Sequence, residues 1–120
     1  MSDIIAEKPA RAVIIGGDGM VKIYNDGKRV TAALYGDIDH HAARELRAEL
    51  DAVIARSRPE LLILDLANVG FMDSSGIGLR LGRSRSVRAA GGELLIKNAR
   101  SEIAEVIRIS GLGSLVVSGQ

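Results

Sequence analysis

Asp73-Ser74-Ser75-Gly76 places a carboxylate and two hydroxyls on consecutive residues, directly after an apolar stretch. Serines at such a junction can do three kinds of chemistry. They can cap a helix by accepting from an unpaired amide of its first turn. They can carry a phosphoryl group, because helix-terminal amides and the macrodipole favour a doubly charged phosphate. They can act as nucleophiles if a base is at hand, and the only histidines are the adjacent pair His40 and His41, some thirty residues upstream. Catalysis is the weakest of the three. The nucleophile-elbow pattern Gly-x-Ser-x-Gly is missing around both serines, and adjacent histidines at a helix start are ordinarily solvated. A metal site built from Asp37, Asp39 and the histidines matches no ligand spacing, so no metal and no cofactor are expected. Gly76 and Gly78 bear on the choice between cap and phosphate. Each costs up to about 1 kcal/mol against alanine inside a helix, and close approach by a partner's backbone or by a phosphate gives a reason for them.

The elements that would position these residues follow from the apolar periodicity. Leu61-Leu62-Ile63-Leu64 is a continuous apolar run after Pro59, the pattern of a strand covered on both faces, and Leu61 to Leu66 is expected to be the central, most buried strand. Upstream, Met20 to Tyr24 and Arg29 to Tyr35 flank Asn25-Asp26-Gly27 and read as an antiparallel hairpin. Gly36-Asp37-Ile38-Asp39 then breaks the strand. Asp39 is placed to cap a helix whose apolar positions Ala42, Ala43, Leu46, Leu50, Val53 and Ile54 recur at three and four residues. Its other face, with Arg47 and Asp51 one turn apart, reads as solvated. Strand, helix and strand make a crossover unit with parallel strands, so both strands end on one edge. That geometry brings Asp37, Asp39, His40 and His41 towards Asp73, Ser74 and Ser75.

A second helix is expected from Ser75 to about Ala90, ended by Gly91-Gly92 and decorated by Arg80, Arg83, Arg85 and Arg88 as a solvated face. Glu93 to Lys97 is the next strand. Ser101 opens a third helix with Ile103, Val106, Ile107 and Ser110 inward, Gly111 stops it, and Leu115 to Val117 is a last strand. Residues 1–19, in which Ala12-Val13-Ile14-Ile15 is too short to stand alone before Gly16-Gly17-Asp18-Gly19, read as an extension to a domain of residues 20–120.

Composition narrows the function classes. One hundred and twenty residues make one domain with a core that needs no staple, and the lack of cysteine removes disulfides, thiolate zinc sites and thiol nucleophiles. Sixteen basic residues against fifteen acidic ones leave a formal charge of +1, too little to draw the chain to nucleic acid or an anionic membrane. Three aromatics, Tyr24, Tyr35 and Phe71, make no stacking platform for bases. Met1 to Ala10 carries acids where a secretory signal has a basic end, and no apolar run approaches spanning length, so a cytoplasmic location is expected.

Three blocks resemble the STAS domain family, and within it the anti-sigma factor antagonists of the sporulation and stress-response type. They are Gly36-Asp37-Ile38-Asp39-His40-His41, then Phe71-Met72-Asp73-Ser74-Ser75-Gly76-Ile77-Gly78, then Gly91-Gly92-Glu93-Leu94 followed by Ile109-Ser110-Gly111-Leu112. The resemblance implies a single α/β domain, a mixed sheet of about four to five strands with helices packed largely on one side, and no catalytic activity. It implies a partner-switching role in transcription regulation. The unphosphorylated form binds an anti-sigma factor that is also a serine kinase and releases a sigma factor; phosphorylation of the first serine, here Ser74, ends the binding; a serine phosphatase resets the switch. The implied partner surface is Asp37, Asp39, His40, Asp73, Ser74, Ser75, Gly76 and Gly78, with no direct nucleic acid and no membrane. A STAS module that senses a ligand or scaffolds an assembly, without serine phosphorylation, is the alternative. Two departures stand out. Residues 1–19 exceed the usual start, and the final helix common in the family has no counterpart after Val117, so an apolar sheet face is expected to lie open unless the extension folds over it.

Overall fold

A computed structural model describes residues 9–73, 83, 85–107 and 116–117 of the chain. In order, the elements are β1 (Arg11–Ile15), β2 (Gly19–Asn25), β3 (Arg29–Ile38), α1 (His40–Ser57), β4 (Leu61–Met72), a helix α2 whose described residues are 83 and 85–89, β5 (Glu93–Lys97), α3 (Ser101–Ile107) and β6 (Val116–Val117). Among the described residues six strands form one sheet, in the order β1-β2-β3-β4-β5-β6. The first three pair antiparallel, and the β3-β4, β4-β5 and β5-β6 pairs are parallel.

The helices lie on one side of the sheet. Leu46, Leu50, Val53 and Ile54 of α1, Val87 of α2, and Ile103 and Ile107 of α3 share one apolar cluster with alternate residues of the strands, among them Val30, Leu62, Leu64, Leu94 and Ile96. This is the mixed α/β arrangement that the sequence leads one to expect. The sheet is wider than four or five strands, because β1 and the short β6 add to its edges.

The expectation that Leu61 to Leu66 is covered on both faces does not hold. Leu62, Leu64 and Leu66 face the helices and are at most 3% exposed, whereas Leu61 and Asp65 alternate to a face that no described helix covers and are only half-buried. Ile63, also on that face, is buried at 8% exposure by its neighbours on the sheet. On the uncovered face Ile63 lines a concavity together with Tyr24, Thr31, Ala33 and Tyr35 of β2 and β3.

Residues 11–15 form a strand because β2 supplies the pairing that five residues cannot supply alone. Arg11 reaches α1, its Nε 2.6 Å from Oε1 of Glu49, and this hydrogen bond holds the Glu49 carboxyl below its ordinary range. In the β1-β2 turn, Gly16 donates its N–H to Oε1 of Glu45 at 2.8 Å. A β-carbon on Gly16, whose φ is +64°, would lie 3.2 Å from the Cβ of Ala42. The turn therefore sits against the first turn of α1, and the chain before Met20 buttresses the helix start that carries His40 and His41.

Candidate functional site

The β3-α1 junction is built by a strand that does not stop where its sequence suggests. Gly36 turns the chain through φ +95° without ending the strand, and β3 continues to Ile38. A glycine is required there twice over, since a β-carbon would also come within 3.0 Å of the Cα of Gly19. Asp39 then adopts extended geometry and caps α1, its Oδ1 accepting from the N–H of Ala42 at 3.0 Å while its carbonyl accepts from Ala43 at 2.8 Å. The Ala42 hydrogen bond is the main reason that the Asp39 carboxyl sits below the usual carboxylate range; slight burial opposes it, and the His41 amide and the two imidazoles reinforce it. His40 and His41 are exposed, with ring centroids 4.4 Å apart and planes tilted by 32°.

Parallel pairing joins this junction to the end of β4. Asp37 lies opposite Phe71 and Ile38 opposite Met72, and the N–H of Asp73 donates to the carbonyl of Ile38 at 3.3 Å. Asp37, Asp39, His40 and Asp73 are thus brought to one edge, although Asp73 is thirty-four residues beyond Asp39 in the chain. Ser74, Ser75, Gly76 and Gly78 lie outside the described residues. The register slips between Ala33 and Tyr35 and again between Gly36 and Asp37, each time with an extra residue on β4. Such bulges re-aim side chains at a sheet's rim. Here Ile38 and Met72 turn towards the core while Asp37 and Phe71 stay exposed.

Two features at this edge carry no periodic signal in the sequence. Phe71, the single phenylalanine of the chain, is 50% exposed. Arg100, just ahead of α3, comes to the same place: a β-carbon on Gly70 would lie 3.6 Å from Oδ1 of Asp37 and 3.8 Å from Nη1 of Arg100. Nearby, Asn98 donates from Nδ2 to Oδ1 of Asp65 at 3.1 Å and so ties the loop after β5 to β4.

The arginines of α2 are not all solvated, as their scatter suggests. Arg85 and Arg88 are exposed and Arg80 lies outside the described residues, but Arg83 is buried, with Nε 2.9 Å from Oδ1 of Asp51 on α1. The contact is an ion pair whose direction is not that of a hydrogen bond, and Nε has no hydrogen-bond partner among the described residues. Burial pushes the guanidinium below its ordinary value, Asp51 opposes this, and Arg47 adds to it. Asp51 therefore reaches across to α2 rather than pairing with Arg47 along its own helix. Among the described residues no group of three or more His, Asp or Glu side chains could hold a metal ion, and no helix is long and apolar enough to cross a membrane.

A family model for the STAS domain matches residues 21–118. The chain belongs to the STAS domain family. Over 84 residues it is 39% identical to an anti-sigma F factor antagonist of Lysinibacillus sphaericus, a match that covers 70% of this chain and 72% of that protein. Among solved structures it resembles the anti-sigma factor antagonist SpoIIAA in its unphosphorylated form, with a TM-score of 0.77 and 31% identity over 83% of this chain and 88% of the other. The phosphorylated form of SpoIIAA, a Bacillus cell fate determinant, gives a TM-score of 0.70 at the same identity, covering 83% and 91%.

Proposed function

We propose that this chain is an anti-sigma factor antagonist, a cytoplasmic phosphoprotein that works by exchange of partners and not by catalysis. Its unphosphorylated form binds an anti-sigma factor that is also a serine kinase and so frees a sigma factor; the kinase phosphorylates Ser74, and a serine phosphatase removes the phosphate. Residues 20–120 are the switch domain, and residues 1–19 an addition whose strand braces α1. The partner surface is Asp37, Asp39, His40, Asp73, Ser74, Ser75, Gly76 and Gly78. The observation that carries this reading is the parallel register of β3 and β4, which holds Asp37 and Asp39 at the edge from which Asp73 leads into Ser74. Resemblance to both forms of SpoIIAA supports a switch that leaves the fold in place.

The physical basis is local. A phosphoserine adds about −1.5 to −2 charge, and an interface that must desolvate that charge next in the chain to Asp73 is weakened unless the partner answers it with a cation. Intact-mass measurement after mixing with the partner kinase and ATP tests the reading. One phosphate is expected on the parent and on Ser75→Ala, and none on Ser74→Ala, which still captures the kinase in a pull-down. Phosphate mapped to Ser75, or no capture by the unphosphorylated parent, overturns it.

A further inference from the structure

The end of β4 holds an exposed aromatic beside two opposite charges that do not meet. Phe71 is 50% exposed. Next to it, Gly70 leaves a bare strip of backbone, with Oδ1 of Asp37 3.6 Å and Nη1 of Arg100 3.8 Å from where a β-carbon would stand. Asp37 and Arg100 do not close into an ion pair, and both are exposed. A carboxylate and a guanidinium that flank a bare backbone without pairing present an acceptor and a donor to a group laid over Gly70. A peptide group has the matching pair, an N–H on one side and a carbonyl on the other, and both hydrogen bonds would be charge-assisted. Single exposed apolar side chains need no explanation on an ordinary surface. Phe71 differs in that the bulges of β4 turn it outward at the rim where Asp37 and Asp73 converge.

We infer that Phe71 is the apolar anchor of the partner interface, and that the slot over Gly70 between Asp37 and Arg100 clamps a backbone peptide group of the partner. The partner surface that fits is a protein segment in extended conformation lying beside an apolar pocket large enough for a benzyl ring. Aromatic anchors buried in a partner's pocket carry a disproportionate share of binding energy. The inference rests on the proposed function, in that the partner is the anti-sigma factor.

Calorimetric titration of the full chain into the purified cognate anti-sigma factor tests it. Phe71→Ala is expected to weaken binding by about 30-fold or more, as loss of a hot-spot aromatic does, with Phe71→Leu in between. Gly70→Ala fills the slot with a methyl group in ordinary van der Waals contact with both flanking side chains and is expected to weaken binding about tenfold, as does Arg100→Ala, while the thermal unfolding of each stays parental. A parent chain that does not bind overturns the functional reading and this inference together. A parent that binds, with Phe71→Ala within about twofold of it, overturns the anchor alone; unchanged binding by Gly70→Ala overturns the clamp.

Discussion

The two halves of β4 obey different rules. From Leu61 to Asp65 the strand pairs in unbroken register with β3 on one side and β5 on the other. From Leu66 to Met72, among the described residues, it pairs with β3 alone, through two register shifts. In the first half every second side chain is sealed under the helices; in the second, Val69 is sealed while Gly70 and Phe71 face outward. A strand hydrogen-bonded on both edges has its side-chain directions fixed by two neighbours. A strand that has outrun one neighbour can take an extra residue without breaking a second ladder, and this freedom is what aims Asp37 and Phe71 at solvent. Stability resides in the regular half, and the partner surface proposed above lies at the irregular one.

Substitutions that sharpen this contrast should differ most in the regular half. Leu64, 3% exposed in the core shared with the helices, loses its transfer free energy and leaves a cavity on truncation. Leu64→Ala is expected to lower the unfolding free energy by roughly 2 to 5 kcal/mol, measured by urea denaturation. A change below about 0.5 kcal/mol would deny that this half is the structural one. Gly92 tests the same end of the strand from outside. A β-carbon there would collide with the backbone carbonyl of Pro59, close to that of Glu60 and to Val87, and backbone at the entry to β4 has little room to yield. Gly92→Ala is expected to cost about 1 to 3 kcal/mol by overpacking; a parental melting curve would show that the loop before β4 is not fixed.

In the irregular half, Phe71→Ala removes a side chain that contributes little to the core. Its unfolding free energy is expected to stay within about 0.5 kcal/mol of the parent. A loss comparable to that of Leu64→Ala would mean that Phe71 belongs to the fold and would erase the contrast between the halves.

The legible and illegible parts of the sequence divide along the same line. Helix α1, its Asp39 cap and its six buried positions follow from a three-to-four periodicity and one oxygen-bearing residue, because both signals are local. The parallel β3-α1-β4 unit, and with it the meeting of Asp37 and Asp39 with Asp73, follows from element order. What was not legible depends on partners far along the chain. Gly36 reads as a strand end because glycine with a following aspartate usually turns the chain; only the close approach of Gly19 from β2 makes it a bend within a strand. Arg83 reads as solvated because its partner Asp51 lies on another helix, at no periodic offset. Residues 11–15 read as an extension because a five-residue strand is marginal until its neighbour is known. The two bulges of β4, which decide that Phe71 faces outward, leave no mark on the alternation of its apolar residues.

The smallest expected effect is a pH dependence at the junction that the irregular half supports. Asp39 caps α1 with its carboxylate, and the Ala42 N–H, above all, holds its carboxyl below the ordinary value. A carboxyl whose folded pKa lies below its unfolded one, about 3.9 for aspartate, binds fewer protons in the folded state. Its contribution to stability is therefore complete above about pH 4 to 5 and is lost as the pH falls through the folded value. Asparagine caps a helix about as well as aspartate but does not titrate in this range. Asp39→Asn should accordingly unfold at nearly the parental urea midpoint at neutral pH, while the parent's midpoint should fall more steeply on acidification. The carboxyls of Asp26 and Glu49 are also held low by their own hydrogen bonds, to the Arg29 amide and the Arg11 side chain. Both proteins share them, so the diagnostic quantity is the difference between the two pH profiles. Parallel profiles from neutral to about pH 3 would show that Asp39 caps the helix without its charge. The junction would then hold its shape through hydrogen-bond geometry alone, and the His40 and His41 imidazoles would have no electrostatic hold on the residue that precedes them.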